Sequence, residues 1–380
     1  MAVKPVKVGV IGCGNISTKY MTRAKVWESI EMVACADRIP ERAQRRAQEF
    51  GLRACKDNWE LLSDPEIEIV LNITNPVEHY PVAMEVLEAG KHLYGEKPMA
   101  INLENGKEIL AKAKEKNLRI GGAPDTFLGG GLQTCRKLID DGAIGMPVGF
   151  TANMLCPGHE SWHPDPEFFY QVGGGPMLDM GPYYLTALIN MLGPMERVAG
   201  ATRVTHVERT IGSEAKRGQK ITVEVPTHVV GLIQAEAGPI GTITTSFDVP
   251  AAFGKGESAS EAAQIPFVEI YGSKGTIRLP DPNMFCGPVY LIKPDGKGPQ
   301  EVPLTHGYAE ENRSIGLADM AYALRSGRPH RANGEMTLHA LEIMHAIHSS
   351  SDQGHYVELE TSCERPAPLP AGLEEGKLDE

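Results

Sequence analysis

The stretch Val6-Lys7-Val8-Gly9-Val10-Ile11-Gly12-Cys13-Gly14-Asn15-Ile16-Ser17 decides the fold. Its first half, dominated by Val and Ile, reads as a strand buried on both faces, as in a parallel sheet. Its second half is a glycine turn that opens a helix. Gly12 permits the tight turn. Gly14 lets a pyrophosphate approach the backbone where free N–H groups and the helix dipole favour anions. Asn15 and Ile16, the first residues of that helix, belong to the same binding turn. The third fingerprint position, usually Gly or Ala for close helix–strand packing, is Ser17, small but a departure. Asp37 follows Gly14 by 23 residues and ends the second strand. Its carboxylate can accept from the adenosine ribose hydroxyls and would repel a 2′-phosphate, which favours NAD. Arg38, able to pair with such a phosphate or stack on adenine, keeps NADP open.

Working outward, strands and helices alternate. Strands are expected over 31–37, 68–73, 91–95 and 118–121, with helices from about 15 to 29 and over 41–50, 82–89 and 103–116. This alternation implies βαβ units and a parallel sheet, an α/β dinucleotide-binding (Rossmann) domain over residues 1–124. The pattern changes at Ala123-Pro124. Beyond it longer strands dominate (149–155, 198–207, 228–235, 241–247, 266–271, 276–279), with turns at Gly238-Pro239 and Ser273-Lys274-Gly275. Helices are expected at 176–192, 315–326 and 335–349. Residues 125–362 therefore read as a second α/β domain with a large, mostly antiparallel open sheet. Residues 363–380, rich in Pro, Glu and Gly, are expected to be disordered. The small-residue loop from Ala251 to Ala263 is a candidate mobile flap.

The 380 residues carry a formal net charge of −12, which excludes the basic footprint that nucleic acid or an anionic membrane needs. No apolar run reaches membrane-spanning length. The start, Met1-Ala2-Val3-Lys4-Pro5, runs into a strand without a signal-peptide core, so a cytoplasmic location is expected. The 7 cysteines are odd in number and form no CxxC pair, which argues against a disulfide framework or structural zinc.

Glu96-Lys97-Pro98 follows the apolar segment 91–95. A lysine at the carboxyl end of a strand in such a domain points into the crevice where open α/β sheets bind ligands. There Lys97 can donate to a substrate oxygen while a nicotinamide exchanges hydride. Further on, Gly173-Gly174-Gly175 precedes a helix carrying Asp179 and Tyr183, four apart and therefore on one face. Asp179 also fits a first-turn acid complementing the helix dipole, and Tyr183 a core aromatic with a satisfied hydroxyl. The loop Cys156-Pro157-Gly158-His159-Glu160-Ser161-Trp162-His163-Pro164-Asp165-Pro166 reads as a sugar-binding wall. Tryptophan stacks on pyranose C–H faces, and histidine and aspartate bind hydroxyls. The same loop fits a proline-braced surface segment with Trp162 as a plug. A metal reading of His159, His163 and Asp165 lacks a helix to fix its geometry, and no metal is expected.

With Gly12-x-Gly14, Asp37, Thr74-Asn75-Pro76 with His79, and Glu96-Lys97-Pro98 in this order, the chain resembles the Gfo/Idh/MocA oxidoreductases. The resemblance continues through Ala123-Pro124-Asp125, the segment from Gly173 to Gly181 and Tyr271-Gly272-Ser273-Lys274-Gly275, so it covers residues 4 to 350. It implies the two-domain fold, a nicotinamide cofactor, and a sugar, cyclitol or related polyol as substrate; the activity expected is that of an oxidoreductase acting on a sugar, glycoside or cyclitol hydroxyl. It also implies a homodimer or homotetramer built through the C-terminal sheet. Thr74, Asn75, His79 and Glu96 would flank the cofactor, Lys97 would lie beside both nicotinamide and substrate, and Asp179 would sit near the reacting carbon. Many members carry histidine four residues after that aspartate as the acid/base. Here Tyr183 stands there, as in glucose–fructose oxidoreductase-like members. Tyr183 can serve as the base if the Lys97 ammonium lowers its pKa. The catalytic set expected is thus Lys97, Asp179 and Tyr183, with His159, Trp162 and His163 at the substrate. Two alternatives remain: a glycoside-cleaving enzyme using transient C3 oxidation, and a nucleotide-sensing regulator without chemistry.

Overall fold

Strand β1 (Val6–Ile11) lies at the centre of a six-stranded parallel sheet, with Val6, Val8 and Val10 fully buried. Its neighbours are β2 (Ile30–Ala36) and β4 (Ile69–Asn72). Beyond them lie β3 (Arg53–Ala54) on one side, and β5 (His92–Gly95) and β6 (Ile120–Gly122) on the other. The order β3-β2-β1-β4-β5-β6 reverses direction at β1, so a crevice opens between the carboxyl ends of β1 and β4. Helices α1 (Asn15–Ala24), α2 (Pro40–Phe50), α3 (Asn58–Leu62), α4 (His79–Glu88) and α5 (Leu103–Glu115) connect the strands. Pro40 begins α2 at the position proline favours, and Gly51 closes it in the left-handed conformation with φ 74°. The sequence pattern missed β3 and α3. Both are short, and α3 depends on Asp57, whose side chain accepts from Glu60 N at 2.8 Å.

The computed structural model describes residues 4–250 and 265–379; the candidate flap from Ala251 to Ala263 lies outside the described residues. After α6 (Gly130–Asp140) the chain builds a nine-stranded sheet. Its strands are β7 (Pro147–Leu155), β8 (Met195–Arg203), β11 (His228–Ala235), β12 (Ile240–Ser246), β13 (Val268–Gly272), β14 (Gly275–Leu279), β15 (Val289–Ile292), β16 (Pro299–Val302) and β17 (Val357–Glu358). Among the described residues, only the β7–β12 pairing in it is parallel. A separate ribbon pairs β9 (Glu208–Thr210) with β10 (Lys220–Thr222). Helices α7 (Pro176–Leu192) and α9 (Gly334–Gln353) are buried along most of their length. Gly200 and Gly231 face each other across β8 and β11 and leave a trough for Ile347 of α9. A Cβ at Gly231 would lie 2.6 Å from Ile347 Cδ1.

Helix α8 (Ile315–Ser326) follows β16 of the second sheet in sequence but packs on the first sheet. Ser29 Oγ donates to Ala318 O at 3.4 Å, and Arg325 pairs with Glu68 at 2.6 Å. The two sheets thus share a continuous hydrophobic core. The segment after Ser362, expected to be disordered, is instead laid down on the body. Leu369 and Leu378 are buried, Leu369 N donates to Gln133 Oε1 at 2.8 Å, and Arg136 Nη1 donates to Pro366 O at 2.8 Å. Composition misjudged it because two leucines find sockets and buried side chains satisfy its backbone. Among the described residues, no helix is long and apolar enough to cross a membrane.

Candidate active site

The cofactor crevice is built by the turn after β1. Gly12 has φ +104°, and a Cβ there would meet Ile73 O at 2.7 Å, so only glycine fits. At Gly14 a Cβ would meet nothing within 4 Å. That open space at the start of α1 is the cradle a pyrophosphate needs, with Asn15 and Ile16 opening the helix. Ser17 is accommodated because its hydroxyl donates back to Gly14 O at 2.6 Å. Asp37 accepts from Cys13 N at 2.7 Å and from Ile39 N at 2.8 Å, which fixes its carboxylate at the rim. A cavity of about 180 Å³ is lined by Gly12, Gly14, Asp37, Arg38, Thr74 and Asn75. Glycine cradle, acid at the end of β2 and cavity fit the adenosine and pyrophosphate end of an NAD molecule. Arg42, which the sequence reading passed over, lines the same cavity.

His79 does not face this cavity. It is 3% exposed, and its ring nitrogens lie 2.7 Å from Pro98 O and 3.1 Å from Thr74 O. Burial keeps its pKa below the usual value, so a neutral ring donates to one of these carbonyls at a time. It braces the Thr74 turn against the Lys97 segment. Glu96 is also engaged: Oε1 accepts from Tyr20 OH at 2.8 Å and Oε2 from Lys97 N at 3.0 Å.

At the end of β5 the chain delivers Lys97 to the first turn of α7. Lys97 Nζ donates to Asp179 Oδ1 at 2.7 Å and to Asp179 O at 2.6 Å, and it stands 5.4 Å from the centre of the Tyr183 ring. Gly173 and Gly175 adopt φ +89°, which turns the chain sharply into α7. Burial would raise the Asp179 pKa, but the Lys97 charge and the neighbouring donors reverse this and hold it well below the carboxylate range. Burial likewise opposes charge on Lys97, and Asp179 overcomes it, keeping the ammonium protonated.

Tyr183 departs from expectation. Burial pushes its hydroxyl above the ordinary phenol value, and the Lys97 charge offsets only part of that. The phenol is placed to donate and accept hydrogen bonds at the site. A residue that the sequence reading missed, Arg313, brings Nη2 to 3.5 Å from the Tyr183 hydroxyl. No motif announces it, because it lies in an irregular segment before α8.

The loop at 156–170 reaches the same cluster through one histidine. His159 Nε2 approaches Asp179 Oδ2 to 3.3 Å without the alignment of a hydrogen bond. The His159 ring packs against Phe169 (4.3 Å between centroids), Phe247 (4.7 Å) and Trp162 (5.4 Å). Trp162 is 60% exposed, so it is a free wall and not a buried plug. His163 is engaged elsewhere: its Nδ1 accepts from Asp165 N at 3.1 Å and its ring meets Trp162, Phe168 and Phe169 edge-on. Arg209 on β9, also missed, staples the loop, donating to Glu160 Oε1 at 2.6 Å and to Pro157 O at 3.2 Å while pairing with Asp248. Among the described residues, no group of three or more His, Cys, Asp or Glu is placed to hold a metal ion.

Comparison with known proteins agrees with this geometry. A model described as an oxidoreductase family with an NAD-binding Rossmann fold matches residues 6–122, and the GFO/IDH/MocA C-terminal domain matches residues 132–278. The chain belongs to the Gfo/Idh/MocA oxidoreductase family. This member is 24% identical over 358 residues to myo-inositol 2-dehydrogenase of Thermotoga maritima, spanning 93% of this chain and 98% of that one. It is 26% identical to D-glucoside 3-dehydrogenase of Escherichia coli (strain K12), over 94% of this chain and 99% of that one. Apo levoglucosan dehydrogenase superposes with a TM-score of 0.79 at 21% identity, covering 95% of this chain and 100% of the other, a likeness of fold. As a Gfo/Idh/MocA protein the chain is an NAD-binding oxidoreductase, and the regulator alternative falls away.

Proposed function

We propose that this oxidoreductase moves hydride between NAD and a hydroxyl-bearing carbon of a carbohydrate: a sugar, glycoside or cyclitol. The observation that carries this reading is the Lys97–Asp179–His159 cluster beneath an exposed aromatic wall. Relatives named inositol 2-dehydrogenase and D-glucoside 3-dehydrogenase, each matched over nearly its whole length, support the substrate class.

When bound, NAD supplies the hydride acceptor. Lys97, held charged by Asp179, donates to the oxygen on the reacting carbon and stabilises the alkoxide that develops there. The hydroxyl proton passes by way of the partly exposed Asp179 carboxylate to His159 Nε2, which is itself buried 3.3 Å from Asp179 Oδ2. The Tyr183 hydroxyl holds a neighbouring sugar oxygen, and Trp162 offers an apolar face to the ring's C–H groups. Asp37 at the adenosine end supports NAD over NADP.

The test is an absorbance screen of sugars, glycosides and cyclitols with NAD, and of the matching ketones with NADH. No hydride transfer in either direction across the panel would sink the proposal. A second reading, transient C3 oxidation ahead of glycoside cleavage, is favoured by relatives named for chemistry at position 3 of a hexose. Release of aglycone without net NADH would select it. The open sheet supports a homodimer or homotetramer, which light scattering in solution tests. The free cysteines suit a reducing cytoplasm.

A further inference from the structure

Arg313 is fixed in place by an unusual turn. The next residue, Ser314, has φ 106° and ψ −6°, a left-handed conformation costly for a residue with a side chain. Buried Asp125 holds that turn, accepting from Ser314 N at 3.3 Å and Gly316 N at 3.0 Å. A Cβ at Gly316 would lie 2.8 Å from Asp125 Cβ, so the turn packs tightly. The Arg313 side chain, 11% exposed, is thereby aimed at Tyr183.

An arginine beside a sugar site is ordinarily a clamp for carboxylate or phosphate. This one is already engaged: Nη1 donates to Glu311 Oε1 at 2.8 Å and to Oε2 at 2.7 Å. Glu311 also takes Lys19 Nζ from α1 at 3.0 Å. The other cation at Tyr183, Lys97, is matched by Asp179. Of the two cations facing the phenol, Lys97 therefore has Asp179 as its counter-ion, and Arg313 has Glu311, which it shares with Lys19.

Resting on the carbohydrate reading above, we propose that Glu311 is a specificity-determining residue. By neutralising Arg313 beside Tyr183, it reserves the site for uncharged carbohydrates and turns away uronic acids and sugar phosphates. An anionic substrate would have to displace Glu311 or lie against it, and like-charge placement is an effective way of rejecting the wrong ligand.

The test uses the full chain with NAD and matched pairs: D-glucose with D-glucuronate, and D-galactose with D-galacturonate. The neutral member is expected to have the higher kcat/KM by about tenfold or more in the wild type, and Glu311→Gln to narrow that ratio by about tenfold through a lower KM for the uronate. Lys19→Met breaks the same bridge without unmasking Arg313 and leaves the ratio unchanged. The double variant Glu311→Gln/Arg313→Gln restores the neutral preference and leaves no unpaired guanidinium should the single variant fold poorly. A wild type that prefers uronates, or a double variant that does not, overturns the proposal. Thermal shift with D-glucuronate in the presence of NADH gives a readout independent of turnover. Stabilisation confined to Glu311→Gln supports the assignment, and equal stabilisation of the wild type overturns it. Absence of turnover with every pair counts against the carbohydrate reading, and the thermal shift then decides Glu311 separately.

Discussion

Lys97 Nζ and Asp179 Oδ1 lie 2.7 Å apart although 82 residues separate them, and their contact joins the crevice of the parallel sheet to the first turn of α7. The ammonium is held where the carboxyl end of β5 points, and the carboxylate holds it there. Lys97→Met is expected to lower kcat by about a hundredfold or more while leaving the Kd for NADH within about threefold. It also strands a charge. Each side chain is 17% exposed, so the cost in unfolding free energy is expected near the low end for a buried pair, about 3 kcal/mol. Adding Asp179→Asn should recover part of that stability and none of the activity. Steady-state kinetics, NADH fluorescence titration and urea unfolding check all three, and wild-type turnover in Lys97→Met would refute the assignment.

Gly14→Val separates binding from folding. No atom lies within 4 Å of a Cβ at Gly14, so the protein itself tolerates the side chain, which fills the pyrophosphate cradle. NADH affinity should drop by about tenfold or more with Tm nearly unchanged. Gly12→Ala should instead lower Tm, because its φ of +104° and the 2.7 Å approach to Ile73 O leave no room. Equal loss of Tm in both variants would contradict this division.

Asp125 gives stability a pH dependence. Burial raises its pKa to about 6, against donors at Gly316 and Ser314 that act the other way. A raised folded-state pKa means the folded chain keeps a proton that the unfolded chain has lost. Its contribution is present in full below about 3.9 and is lost as pH rises through about 6, amounting to about 3 kcal/mol. Asp125→Asn, always neutral and still able to accept, should remove that slope. Urea unfolding between pH 4 and pH 8 checks it, and identical slopes in the two proteins would count against a buried ionising group.

Arg209→Ala should leave Glu160 and Asp248 without their cation and loosen the aromatic loop. Because Arg209 anchors the loop that carries both Trp162 and His159, KM should rise by about tenfold or more and kcat should fall with it. A kcat loss with KM intact would place Arg209 in the chemistry instead.

The sequence by itself determined the parallel sheet, the glycine cradle, Asp37 and the position of Lys97, because each rests on a local pattern: a buried strand, a turn that only glycine can make, and an acid at the next strand's end. It also supplied Asp179 and the aromatic loop as parts. Only the tertiary structure decided how those parts act. It set His159 against Asp179 and engaged His163 with Asp165, turned His79 into a brace, and laid α8 and the last residues back on the body. It brought Arg313 to Tyr183 from 130 residues away. The Tyr183 pKa shows the physical reason. Sequence gives the neighbouring charge, but the direction of the shift depends on how much water burial removes, and burial is a property of the whole packed chain.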